Sequence, residues 1–160
     1  MSINKYPDEY TVRSATNADS DSVRELVFAI LREYGLEPDP DGIDSDMDDI
    51  EGNYIASGGS FEIIEDREGN LVGTFGLYPF DETRVELRKM YFLPEIRGKG
   101  LGKITLTRII GSARDLGYQQ LILETASVLK EAIGLYKKFG FREAVDPHTP
   151  RCDKSFFLDL

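Results

Sequence analysis

The stretch Arg97-Gly98-Lys99-Gly100-Leu101-Gly102 decides how the chain is interpreted, because it combines three glycines with two basic side chains. It follows the strand-like run 85–93 and precedes a helix-like segment that begins near Lys103. Glycines adopt positive φ without strain and let the backbone approach a ligand closely. Backbone N–H groups converge at such a turn, and the helix N-terminus adds partial positive charge. The stretch therefore predicts a site for the phosphate groups of a ligand.

Two familiar nucleotide-binding motifs do not fit this turn. A Walker A loop would need a glycine at Arg97 and a hydroxyl side chain at Ile104. A dinucleotide fingerprint that starts at Gly98 would need a glycine at Lys103, and one that starts two residues later also fails. The turn therefore predicts a phosphate site of another kind and disfavours ATP or GTP hydrolysis.

The spacing Arg97-x-x-Gly100-x-Gly102 resembles the Q/R-x-x-G-x-G/A motif with which the GNAT family of N-acetyltransferases binds the pyrophosphate of acetyl-CoA. The run 87–94 resembles the fourth strand of that family, and the segment 11–19 is similar to its first strand and helix start. Residues 132–141, AIGLYKKFGF, resemble its A-x-x-L-Y-x-x-x-G-F helix and turn. The resemblance covers nearly the whole chain, in the order and spacing of the family.

The chain is expected to form one domain over residues 1–160, an acetyl-CoA-dependent N-acetyltransferase domain by resemblance. Its 160 residues, 41% of them hydrophobic, are enough to build a core. Hydrophobic periodicity predicts strands at 10–13, 61–66, 71–78, 84–93, 120–125 and 154–159, and helices at 16–34, 100–116 and 129–139, with a short helix near 45–51. The predicted class is α+β, with the resemblance implying one mixed, mostly antiparallel central sheet flanked by about four helices.

Charge and composition exclude several classes of function. The net charge of −10 argues against non-specific binding of nucleic acid. Residues 84–114 nevertheless carry eight basic and only two acidic side chains, a basic island that suits a polyanionic ligand. No apolar run is long enough to span a membrane, and the N-terminus lacks the apolar region of a signal peptide. One cysteine allows no internal disulfide, and one histidine and one cysteine cannot build a usual zinc site. We therefore expect a cytoplasmic protein without a metal.

The resemblance implies which residues hold acetyl-CoA. The glycine turn is expected to bind the pyrophosphate, with Arg97 and Lys99 adding charge to the backbone groups. The pantetheine arm is expected to pair with the exposed edge of the fourth strand, and an N–H near Met90 to polarise the thioester carbonyl. The expected cofactor-binding residues are Met90, Tyr91, Phe92, Arg97, Gly98, Lys99, Gly100, Leu101, Gly102 and Lys103.

Acetyl transfer to an amine also needs an acid for the leaving thiolate and a base for the amine. Tyr136 occupies the tyrosine position of the family's fourth helix, and a phenol stays protonated at neutral pH. A core tyrosine on an apolar helix stripe is the competing interpretation. Glu86, on the strand before the turn, is the first candidate for the base. The competing interpretation is that Glu86 is a solvated carboxylate on the strand, paired with Arg84 or Arg88. Glu124 is the second candidate and Asp153 the third.

The acceptor site is less well defined by sequence. The acidic segment 39–51 lies where the resemblance places the acceptor pocket, and it could attract a cationic amine or be a solvated loop. His148 and Cys152 lie near the last strand and are further candidates. The expected function is transfer of the acetyl group of acetyl-CoA to a primary amine of a small molecule or a protein. The alternative is a non-catalytic acyl-CoA-binding sensor or scaffold module. Since dimers are frequent in the family, the resemblance also allows a homodimer.

Overall fold

The computed structural model describes residues 5–144 and 151–160. Seven strands form one sheet: β1 (Thr11–Ser14), β2 (Ser60–Glu65), β3 (Leu71–Pro79), β4 (Arg84–Phe92), β5 (Gln120–Thr125), β6 (Arg142–Ala144) and β7 (Lys154–Asp159). Three α-helices flank it: α1 (Ser20–Glu33), α2 (Leu101–Asp115) and α3 (Lys130–Lys138). A 3₁₀ turn at Ser45–Asp49 and a π-helical turn at Glu51–Ile55 form a fourth helical segment.

The sheet has the order β1-β2-β3-β4-β5-β7-β6, and every neighbouring pair is antiparallel except β4 with β5. The predicted mixed, mostly antiparallel sheet with about four helices is therefore confirmed. The predicted strand bounds and those of α2 and α3 agree with the observed ones to within one residue. Helix α1 begins four residues after the predicted start because Asn17–Asp19 form a 3₁₀ turn, and the short helix predicted at 45–51 extends to Ile55. The short strand β6 was missed, since three residues carry too little alternation to be recognised.

Each face of the sheet has its own hydrophobic core. One core contains the apolar face of α2 and, from α3, the ring of Tyr136. The other contains the apolar face of α1 together with Met47, Ile50 and Tyr54 of the fourth helical segment. A 3₁₀ turn at Asn17–Asp19 precedes α1, and Asp19 Oδ2 accepts a hydrogen bond from the Thr16 N–H at 2.8 Å, which completes a capping box.

Strand β4 carries a β-bulge that the sequence did not reveal. The register to β3 shifts between Thr74 and Gly76, and Lys89, opposite the shift, has a φ of 58°. The Thr74 hydroxyl donates a hydrogen bond to the Lys89 carbonyl at 2.7 Å, which holds the bulge in place.

The bulge corrects one sequence-based expectation. Strict alternation puts Met90 on the face of Glu86 and Arg88 and opposite Leu87. In the structure Met90 packs with Leu87 against the core of α2, while Tyr91 packs against the core of α1. The extra residue of the bulge exchanges the two faces for the rest of the strand.

Candidate active site

A cleft opens in the middle of the sheet because β4 and β5 diverge. The two strands pair only where 84–86 lie beside 120–122. Beyond that point β4 continues along β3 and β5 continues along β7, so the residues of β4 from Leu87 onward have no register partner on β5. The resulting cleft has a volume of about 1000 Å³. It is large enough for an extended ligand with one end at the glycine turn.

The cleft brings together the expected cofactor-binding residues, apart from Lys99, with the first candidates for the acid and the base. It is lined by Glu86, Met90, Tyr91, Phe92, Arg97, Gly98, Gly100, Leu101, Gly102, Lys103 and Tyr136. Lys99 Nζ instead lies 3.4 Å from the hydroxyl of Tyr10. Glu124 and Cys152 also line the cleft.

The glycine turn has the backbone geometry of an anion site. Gly98 and Gly100 have φ values of 76° and 81°, a conformation that costs a residue with a Cβ about 1–2 kcal/mol. Helix α2 begins directly afterwards at Leu101. The first N–H groups of a helix have no acceptor within it, so they are available to a ligand in the cleft.

The side chain of Arg97 is hydrogen-bonded to other groups of the protein. Its terminal nitrogens donate to the Glu33 carboxylate at 2.6 and 2.9 Å, and its Nε donates to the Phe92 carbonyl at 2.9 Å. These bonds join the glycine turn to the end of β4 and to the last turn of α1. Arg97 thus fixes the position of the turn, whatever charge it also supplies to a ligand.

Much of the basic island in the sequence is neutralised in three dimensions. Its arginines 84, 88, 97 and 108 form ion pairs with Asp81, Glu86, Glu33 and Glu62 respectively. Lys89 pairs with Asp44. The partners lie up to tens of residues away in sequence, so counting charges along the chain overstates the positive field at the turn.

Tyr136 lies on α3 and faces the cleft with only 5% of its surface exposed. Its ring packs against Phe141 and Phe156, with centroid distances of 5.6 and 6.2 Å. Burial raises the pKa of Tyr136 well above its ordinary value, with the nearby Tyr91 and Cys152 contributing in the same direction. The phenol therefore keeps its proton throughout the neutral range.

The two leading carboxylates lie on neighbouring strands. Glu86 is buried on β4 and forms a close ion pair with Arg88 Nε. Glu124 lies half-buried near the end of β5. Because both line the cleft, both remain candidates for the base. The pairing of Glu86 with Arg88 agrees with the competing sequence interpretation, but burial in the cleft wall does not fit a solvated strand residue.

The acidic segment is not simply a solvated loop. Asp44 is fully buried and accepts hydrogen bonds from Lys89 at 2.7 Å and from Arg151 at 2.7 and 3.0 Å. Asp46 is also buried and accepts a close hydrogen bond from the Tyr54 hydroxyl. Burial alone would raise the pKa of Asp44, but the hydrogen bonds and charges of Arg151 and Lys89 outweigh it and lower that pKa.

The remaining candidates play different parts. Asp153 accepts hydrogen bonds from the backbone N–H and the hydroxyl of Ser127 at 2.7 and 2.8 Å, which orders the loop before α3. Burial, with the negative charge of Glu124, raises the pKa of the Cys152 thiol to about 11, so it remains a thiol at neutral pH. His148 lies outside the described residues. Within 5–144 and 151–160, no group of histidine, cysteine and acidic side chains is arranged to hold a metal ion.

Sequence reasoning missed Arg151 and the role of Arg88 and Lys89 in the cleft wall. Arg151 lines the cleft beside Cys152, and no local pattern connects it to Asp44, which is 107 residues away. Charged and apolar residues are mixed along β4, so no local pattern indicates that Lys89 has a buried partner. Among the helices of the described residues, none is long and apolar enough to cross a membrane.

Comparison with known proteins connects this geometry to a family. The model of the Acetyltransferase (GNAT) family matches residues 24–141. A protein of Escherichia coli K12, the uncharacterized N-acetyltransferase YjgM, is 36% identical over 140 residues, which is 84% of this chain and 83% of that protein.

Solved structures have the same fold. An acetyltransferase of the GNAT family from Staphylococcus aureus Mu50 superimposes with a TM-score of 0.87 at 24% identity, covering 94% of this chain and 98% of its own. The putative acetyltransferase yncA of Salmonella typhimurium, solved with its cofactor acetyl-CoA, superimposes with a TM-score of 0.74 at 20% identity, covering 95% and 94%.

Proposed function

The chain belongs to the GNAT acetyltransferase family, and on that premise we propose that it transfers the acetyl group of acetyl-CoA directly to a primary amine. The observation that carries the proposal is the continuous cleft, which has the glycine turn at one end and Tyr136, Glu86 and Glu124 along its walls. The acceptor is a small molecule or a protein amino group.

Binding rests on the backbone of β4 and of the turn. The edge of β4 from Leu87 to Phe92, which has no register partner on β5, offers N–H and C=O groups to an extended pantetheine arm. The N–H groups from Gly98 to Lys103 hold the pyrophosphate. The displaced backbone at the bulge leaves an N–H near Met90 to polarise the thioester carbonyl.

The chemistry rests on side chains in the cleft. Tyr136 donates its proton to the sulfur as the thiolate leaves, which its raised pKa allows across the neutral range. Glu86, or Glu124 as the second candidate, accepts the proton of the amine. Burial raises the pKa of the Cys152 thiol, which disfavours a thiolate nucleophile, and supports direct transfer with both substrates bound together.

If the glycine turn binds the pyrophosphate, a substitution at Gly100 should weaken the binding of acetyl-CoA. Gly100→Ala places a Cβ on a residue with φ of 81°, which shifts the N–H groups of the turn. We expect the dissociation constant for acetyl-CoA, measured by calorimetry, to rise roughly tenfold, equivalent to about 1.4 kcal/mol. Gly111→Ala is the matched control: its Cβ meets no atom within 4 Å inside the same helix. This control should leave the affinity for acetyl-CoA unchanged. Equal affinity in the two variants would contradict the proposal that the glycine turn binds the pyrophosphate.

The base is identified by comparing Glu86→Gln with Glu124→Gln. We expect Glu86→Gln to lower kcat/KM for the amine by roughly a hundredfold or more. Glu124→Gln should lower it less. A larger loss in Glu124→Gln would reverse the assignment. Both variants keep the shape of the side chain, and acetyl-CoA affinity serves as the check on folding.

The experiment that tests the proposed function is release of free thiol from acetyl-CoA. It is measured across a panel of polyamines, amino acids, aminoglycosides and basic peptides. Release that depends on one class of amine supports the transferase. If acetyl-CoA binds in the same samples and no amine promotes release, the non-catalytic acyl-CoA-binding module is the better description.

We further propose that the enzyme works in the cytoplasm. The support is chemical: the half-buried Cys152 thiol has no cysteine in this chain to pair with, and such a thiol is kept reduced there. We also propose that the chain can form a homodimer, which membership of the family allows, and light scattering on the purified chain measures its oligomeric state.

A further inference from the structure

Three cations stand together in the wall of the cleft on the α1 side of β4: Arg88, Lys89 and Arg151. We call them the cationic wall. The carboxylates of Asp44 and Asp46 that balance them are themselves buried and do not line the cleft. On this part of the wall a ligand therefore meets the three cations and Glu86, while Asp44 and Asp46 lie behind them.

Two of the three cations are already occupied. The Lys89 side chain is only 6% exposed, and its Nζ lies 2.7 Å from Asp44 Oδ1 and 3.5 Å from Asp46 Oδ1. The Arg151 side chain is 13% exposed and binds both oxygens of Asp44. Lys89 and Arg151 therefore contribute charge to the wall, but both are already hydrogen-bonded to Asp44 and have little capacity left to bind a ligand.

Arg88 is different, because its terminal nitrogens have unused donors. Its Nε is bound by Glu86, and its NH1 lies 3.6 Å from Asp46 Oδ2, which is too long for a hydrogen bond. Within the described ranges, neither terminal nitrogen of Arg88 donates a hydrogen bond. Its side chain is 29% exposed in the cleft wall.

The guanidinium of Arg88 is also held in a fixed plane. It stacks over the ring of Tyr78 at 3.8 Å from the centroid, and the pair with Glu86 fixes its other edge. A rigid guanidinium with free terminal N–H groups matches the two oxygens of a carboxylate. Side chains that are already ordered lose little entropy when they bind.

Neighbouring groups complete a pattern of opposite charges. Glu86 lies beside Arg88, so the wall presents a negative and a positive group next to each other. A molecule that carries an ammonium and a carboxylate a few bonds apart can align with this pair head to tail. Leu36 and Ile43 line the same cleft and offer apolar contact for the rest of the molecule.

We propose, building on the function proposed above, that the acceptor is an amino carboxylate: a primary amine whose carboxylate is bound by Arg88 and whose nitrogen faces Glu86. A polyamine has no carboxylate and would leave the terminal nitrogens of Arg88 without a ligand partner. Arg88 is then the residue that determines specificity for the acceptor.

The test uses matched pairs of amines that differ only in the carboxylate, such as leucine with isoamylamine and phenylalanine with phenethylamine. Spermidine and a γ-amino acid are added to the panel. We expect kcat/KM for the amino carboxylate to exceed that of its decarboxylated partner roughly tenfold to a hundredfold, the range of a charge-assisted hydrogen-bond pair. The preference is a ratio within one protein, so it does not depend on the active fraction of the sample.

The variant Arg88→Gln should reduce this ratio to near one, mainly through KM, and Arg88→Lys should leave it intermediate. Arg84→Gln is the matched control: Arg84 lies on the same strand, does not line the cleft, pairs with Asp81 and should keep the wild-type ratio. Acetyl-CoA affinity and thermal unfolding show whether each variant is folded.

Three results would overturn the inference. The first is acetylation confined to amines without a carboxylate, which leaves the proposed function standing. The second is a carboxylate preference that Arg88→Gln retains in full. The third is acetyl-CoA binding without acetylation of any amine, which overturns the proposed function as well.

Discussion

Replacement of Tyr136 by phenylalanine is expected to lower kcat about a hundredfold to a thousandfold while the dissociation constant for acetyl-CoA stays the same. The variant removes only the hydroxyl, so the leaving thiolate loses the positioned acid that would protonate it, an effect of the size known for general acid catalysis. The ring contacts with Phe141 and Phe156 are kept. Steady-state thiol release gives kcat, and calorimetry gives the affinity.

Tyr118→Phe is the control for loss of a tyrosine hydroxyl. The hydroxyl of Tyr118 donates a hydrogen bond to the Gly58 carbonyl at 3.1 Å, and Tyr118 does not line the cleft. Its kcat should remain close to wild type. A Tyr136→Phe variant with full kcat would show that this phenol is a core residue, the competing interpretation, and that another group protonates the sulfur.

Replacement of Lys89 by methionine is expected to lower the free energy of unfolding by about 3–5 kcal/mol at pH 7. Asp44 is fully buried, and the variant leaves its carboxylate with Arg151 as the remaining cation. Removing one partner of a buried ion pair has a cost of this size, since the other charge stays desolvated. Urea unfolding at pH 7 measures the loss. Lys137→Met, at an exposed position on α3, should change stability by no more than about 0.5 kcal/mol.

The same pair predicts the pH dependence of the loss. The folded state lowers the pKa of Asp44 below its ordinary value of 3.8, so its stabilising contribution is fully present above that value. The contribution declines as the pH falls below 3.8 towards the lowered pKa. The difference between wild type and Lys89→Met should therefore shrink between pH 7 and pH 3. A difference that is small at pH 7, or that grows in acid, would contradict the buried pairing.

Local signals in the sequence were sufficient for most elements of the fold. The continuously apolar stretch 121–123 predicted β5, and alternation along 154–159 predicted β7, both with their observed bounds. The glycine turn and the tyrosine of α3 were placed in one cleft by resemblance, and the structure brings both there. These features depend on neighbouring residues, which a single sequence displays directly.

Contacts between distant residues could not be read in the same way. Arg97 appears in the sequence as a cation for the ligand, but its partner Glu33 lies on α1, 64 residues earlier. The bulge at Lys89 depends on Thr74 and Asp44, so strict alternation misassigned the face of Met90. In both cases a tertiary contact decides what a side chain does, and no local pattern encodes it.

The most direct test of the central claim is to quantify free CoA and N-acetylated product in the same reaction, with acetyl-CoA and the amine panel. The account predicts that the two appear in equal amounts, only when an accepted amine is present, and that Tyr136→Phe slows both equally. Release of CoA without acetylated amine, or binding of acetyl-CoA with no release under any condition, would contradict it.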